Sequence, residues 1–97
     1  MDTNFQISLN LRNIAGITTI GCFFLGPDQH FAEHTFKLLK GMGADAEKNL
    51  PCLELTCVTD DVRLPLALKP CTLDQLASNI QLLTKELFKY HALKDET

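Results

Sequence analysis

Phe5, Ile7, Leu9 and Leu11 alternate with Gln6, Ser8, Asn10 and Arg12. That two-residue period is the mark of a strand with one wet face. Asn13-Ile14-Ala15-Gly16 follows as a short loop, with a glycine free to take positive φ. Ile17 to Leu25 then reads as a second strand, rich in Ile, Thr and Phe. Gly26-Pro27-Asp28 opens a helix: proline suits its first turn and the aspartate complements the dipole. Phe31, Thr35, Leu38 and Met42 recur at helical spacing, widened by Ala32, Phe36 and Leu39, with Gly41 and Gly43 as stops. Ala44 to Pro51 is a polar connection.

The second half repeats the plan. Leu53, Leu55 and Cys57 alternate with Glu54 and Thr56, and Leu64, Leu66 and Leu68 alternate with Arg63, Pro65, Ala67 and Lys69. A two-residue turn at Asp60-Asp61 sets Leu53 against Leu68, Leu55 against Leu66 and Cys57 against Leu64, so the apolar sets coincide on one face. Thr72 and Gln75 form a capping box. Leu73, Leu76, Ile80, Leu83, Leu87 and Tyr90 then mark a helix of about twenty residues, and Lys94 to Thr97 should fray.

These elements predict an α+β fold of order ββαββα: a two-layer sandwich in which two helices cover one face of a four-stranded, mainly antiparallel sheet. One domain, 1–97, is expected, built from hairpin–helix units at 5–43 and 52–93. Pro65 cannot donate to a ladder, which puts the fourth strand at an edge and favours strand order 2-1-3-4 over 1-2-3-4.

The second strand breaks the pattern. Its odd positions carry Ile17, Thr19, Gly21, Phe23 and Leu25; its even positions carry Thr18, Ile20, Cys22 and Phe24. One residue of slip exchanges its faces, so either Ile20, Cys22 and Phe24 or Phe23 and Leu25 point away from the helices. Order 2-1-3-4 also leaves this strand at an edge with no lysine or proline to guard it. Ile20, Cys22, Phe23, Phe24 and Leu25 are therefore the candidate interface. The expected role is a small protein-interaction or adaptor domain, homodimeric or joined to another protein through this strand. The alternatives are a single chain whose long C-terminal helix or N-terminal residues fold over this face, a binder of a small apolar ligand held between sheet and helices, and a metal-dependent hydrolase.

Composition narrows the classes. The net charge of -3 over 97 residues, with dispersed lysines and arginines, argues against nucleic-acid binding. The longest apolar stretch, Ile14 to Leu25, is too short to span a bilayer, and no basic leader precedes it. The cytoplasm is the default location. Cys22, Cys52, Cys57 and Cys71 include no C-x-x-C pair and read as small buried hydrophobes in a reducing compartment.

His30-Phe31-Ala32-Glu33-His34 spells H-x-x-E-H, which resembles the short motif of the inverzincin metallopeptidases. Histidines four apart on a helix share a face and can grip zinc, and the glutamate can act as general base. The resemblance implies a further glutamate ligand downstream. Glu47, Glu54 and Glu86 follow, and none is singled out by its surroundings. His30 and His34 are thus expected as solvated helix residues, with no metal or cofactor. Asp60-Asp61 is read as a solvated turn.

Overall fold

The computed structural model describes residues 3–42 and 50–94, and side chains in the last helix as far as 92. The predicted stop at Gly43, the connection from Ala44 to Asn49 and the end of the tail, 95–97, lie outside the described residues. The element order is β1 (Thr3–Asn13), β2 (Gly16–Gly26), α1 (Gln29–Leu38), β3 (Cys52–Thr59), β4 (Val62–Pro70) and α2 (Leu73–Lys94). The strands form one antiparallel sheet in the order β2-β1-β3-β4, as expected.

The inner face carries Phe5, Ile7 and Leu9 from β1, Leu25 from β2, and Leu53 and Leu55 from β3. Ala32, Phe36 and Leu39 from the first unit and Leu76 and Leu83 from α2 complete one buried cluster with Cys71. The capping box is formed: Gln75 N–H donates to Thr72 Oγ1 at 3.1 Å and Thr72 N–H to Gln75 Oε1 at 2.9 Å. Asp60 and Asp61 both take positive φ, at 50° and 68°, the twist a two-residue hairpin turn requires.

Two registers differ from the simple alternation. In the β3–β4 hairpin, Cys57 opposes Leu64 as expected, but a bulge follows Pro65. Leu55 then opposes Ala67, and Leu53 opposes Lys69. The bulge turns Leu68 to the outer face beside Glu54, where it is 63% exposed, and brings Lys69 inward. In the β1–β2 hairpin, a two-residue turn at Ile14-Ala15 and bulges at Ile20 and Leu25 pair Ile7 with Phe23.

The first helix also ends early. Leu39, not a glycine, is its C-cap, in extended conformation. Met42 falls beyond the helix, where its N–H donates to Pro70 O at 2.7 Å. Gly41 is needed for close approach instead: a Cβ there would collide with the Lys69 side chain and sit 3.0 Å from Pro70 O. Asp28 proves to be the N-cap, accepting from Phe31 N–H at 3.1 Å, with Pro27 outside the helix. Leu73, at 72% exposure, and Leu38 and Met42 stand outside the core that the helical spacing assigned them.

Two side chains from the second unit hold the end of α1. Lys69 Nζ donates to Phe36 O at 2.7 Å and Leu39 O at 2.9 Å, and lies 4.7 Å from the Phe36 ring centroid. The buried Asn79 amide pairs with one backbone unit in both directions, accepting from Lys40 N–H at 2.8 Å and donating to Lys40 O at 2.7 Å. Replacing Asn79 with alanine strands that donor and acceptor, and urea unfolding should show a loss of about 2–4 kcal/mol. Lys40→Ala, which leaves its backbone in place, should stay within about 0.5 kcal/mol of the parent. Thr35 is fully buried and its Oγ1 has no hydrogen-bond partner among the described residues. Thr35→Val should therefore raise the unfolding free energy, by about 1 kcal/mol.

Candidate interaction surface

The β1–β2 register decides which way the second strand faces. Opposed residues share a face, so Phe23 points inward with Ile7, and Cys22 and Phe24 point outward with Ser8 and Gln6. Both helices lie on the inner side, so among the described residues no helix covers this outer face. Phe24 is 72% exposed and the bulged Ile20 54%. Cys22 is exposed as well, so it is not the buried thiol expected from the sequence. Cys52 and Cys57 are half-buried and Cys71 is buried. Burial pushes the Cys71 and Cys52 thiols up from the ordinary value, which disfavours the reactive thiolate.

Of the other two candidate residues, Leu25 is fully buried in the core and Phe23 packs half-buried against it. Outward-facing residues that the sequence reading left out are Ile17, 64% exposed opposite Arg12, and Ile14, fully exposed at the hairpin turn. Ile17 lies on the outer face because the turn, through Asn13–Gly16, sets it opposite Arg12. On the far edge Leu66 and Leu68 are exposed too, and Leu68 belongs to the outer face. Pro65 was the available signal for that change: proline inside a strand marks bulges as well as edges.

The two edges are unlike. β4 carries Arg63, Pro65 and Lys69 along with its bulge. β2 has no charged side chain, and none occurs from Asn13 to Pro27. Between them, on the outer face, Gln6, Ser8 and Thr56 of the central strands are buried.

The histidine motif sits elsewhere. His30 and His34 are exposed on α1, with ring centroids 6.4 Å apart. Glu33 accepts from Gln29 Nε2 at 2.9 Å. No group of three or more metal-ligating side chains occurs among the described residues. Asp60 and Asp61 are exposed at their turn. A groove lined by Leu38, Lys40, Asn79, Leu82 and Lys85 lies between the helices. No described helix is long and apolar enough to cross a membrane.

The best-defined electrostatic feature is structural. Asp28 caps α1 through Oδ1 while its Oδ2 accepts from Tyr90 Oη at 2.8 Å. The Tyr90 ring stacks on Phe31 with centroids 3.9 Å apart, tying the end of α2 to the start of α1. The backbone N–H of Phe31, then the Tyr90 hydroxyl, hold the Asp28 carboxyl below its ordinary value of 3.8.

Comparison with protein families, with curated proteins and with solved structures gives no match for this chain.

A carboxyl whose pKa is lower folded than unfolded stabilises the fold above the unfolded value, and that contribution is lost as pH falls through the folded value. Stability should therefore decline in acid below 3.8. Asp28→Asn keeps a capping oxygen but cannot titrate, so its unfolding midpoint should depend less on pH in that range. A parallel acid titration of both proteins by circular dichroism checks this.

Proposed function

We propose that this chain is a small, non-enzymatic protein-interaction domain that works as a homodimer through β2. The observation carrying the reading is the combination on one strand of an edge position, no charge, outward-facing Ile17, Cys22 and Phe24, and an exposed Ile20. Leaving a large apolar side chain in water forgoes roughly 1.5–3 kcal/mol of burial, a large fraction of the ~5–15 kcal/mol that holds a domain together. An unguarded edge is also a template for another strand. β4 is protected by proline and cations, so the contrast is specific to β2.

A second copy is the partner this chemistry favours. A two-fold axis brings a surface against itself, so any charge on it opposes a like charge. β2 has none. Free cysteines across the chain suit a reducing compartment such as the cytoplasm. A ligand between sheet and helices is disfavoured, because the fully buried side chains of Ile7, Leu25, Leu53 and Leu83 already occupy that space.

Light scattering should give twice the chain mass of 10.8 kDa. Phe24→Lys should shift the equilibrium toward monomer by at least tenfold, since about 1.5–3 kcal/mol of burial is lost. His30→Ala should leave the mass unchanged. A protein that stays monomeric at all concentrations would remove the basis of the reading.

A further inference from the structure

We propose that two copies join edge to edge through β2, antiparallel about a two-fold axis at Gly21, with each hairpin arm lying along the body of the other copy. This rests on the homodimer reading above and specifies its geometry. β1 pairs with β3 only over Thr3–Asn10, whereas the β1–β2 ladder continues to Asn13 and Gly16. The hairpin therefore projects past the rest of the sheet as an arm. Every residue from Arg12 to Ile20 is exposed.

The arm is nonetheless built to hold its shape. Asn13 Nδ2 donates to Thr18 Oγ1 at 3.0 Å, and Thr19 Oγ1 to Asn10 Oδ1 at 2.7 Å. Ala15 N–H donates to Asn13 Oδ1 at 2.9 Å across the turn. An ordered arm with exposed isoleucines and no charge beyond Arg12 is shaped to meet a surface.

The axis follows from the strand itself. Gly21 is the midpoint of the eleven-residue β2, so an axis there pairs the whole strand. It also matches faces. Phe24 and Cys22 are outward, and because the bulge removes Ile20 from the count, Thr19 and Ile17 are outward too. Counting from Gly21 with Ile20 bulged, Cys22 meets the second copy's Thr19, Phe23 meets its Thr18, and Phe24 meets its Ile17. Each pair lies on one face, as a continuous sheet demands. The most exposed aromatic thus lands on an exposed β-branched residue, a favourable cross-strand pair. Glycine at the axis places no side chain there. The two bulges near the axis, at the two copies of Ile20, put both isoleucines beside it.

Cross-linking reads the register directly. The Thr19→Cys/Cys22→Ser double variant is mixed with the parent chain and treated with a short thiol-reactive linker. The expected product is a band at twice the chain mass, joined between residue 19 of one copy and Cys22 of the other by peptide mass spectrometry. Thr18→Cys/Cys22→Ser, whose cysteine faces inward, should give no link between residue 18 and Cys22. Dimers by light scattering that lack the 19–22 link, or that link equally through residue 18, would overturn this geometry and leave the homodimer standing. A monomer by light scattering would overturn both.

Discussion

Lys69 reaches the inner face of the sheet because a bulge at Leu66 advances β4 by one residue. Without it, strict alternation would put Leu68 against Leu53 and turn Lys69 to solvent. With it, the ammonium meets two carbonyls at the C-terminus of α1: that of Leu39, and that of Phe36, which also accepts from Leu39 N–H at 3.2 Å. Burial lowers the pKa of this lysine, so the two carbonyls and the Phe36 ring are what compensate the charge. Asn79 then fixes the next backbone unit, and the missing side chain at Gly41 lets that segment run beside Lys69 and Pro70. The two hairpin–helix units are joined by polar ties as well as by the apolar core. The same bulge leaves a leucine on the outer face, which is the cost of delivering the lysine.

This explains which parts of the fold were legible in the sequence. Strand alternation, the Asp60-Asp61 turn, the Thr72–Gln75 box and the edge position marked by Pro65 all depend on neighbours in the chain, and the strand order followed from them. Pro65 marked β4 for an edge or a bulge, but what each bulge delivers depends on what lies across the sheet. Nothing near Leu66 says that a lysine three residues later is wanted by a helix from the other unit. The end of α1 at Leu38 was hidden for the same reason: its apolar spacing continues, but Lys69, Asn79 and Pro70 claim the backbone beyond it. Asn79 itself reads as an ordinary polar helix residue until the opposing backbone is known.

The outer surface was legible in kind and not in detail. Ile17 to Leu25 had too many apolar positions for a strand with one covered face, and that excess was visible from the residues alone. Which residues it exposed depended on the hairpin turn and the bulges. The turn sets Ile17 opposite Arg12 on the outer face, and the bulge at Ile20 then turns Phe23 and Leu25 inward and Cys22 and Phe24 outward. The histidine motif shows the reverse case. Its spacing was correct for a shared helix face, yet spacing cannot supply a third ligand, and α1 presents the pair to solvent.

Bulges commonly protect an edge by spoiling its fit to another strand. On β4 the bulge acts together with Pro65, Arg63 and Lys69, and every one of these discourages pairing. On β2 the bulges come without a charge or a proline, and the one at Ile20 lies next to the strand's midpoint. In the proposed two-fold pairing each copy contributes one such bulge on its own side of the axis, so the two offsets balance and both ends of the ladder stay in register. In the proposed homodimer, such an edge discriminates by shape: it resists regular strands and accepts its own. The discrimination works only if the arm is rigid enough to hold its register, which gives the Asn13–Thr18 and Thr19–Asn10 bonds on an otherwise bare hairpin a physical reason to exist.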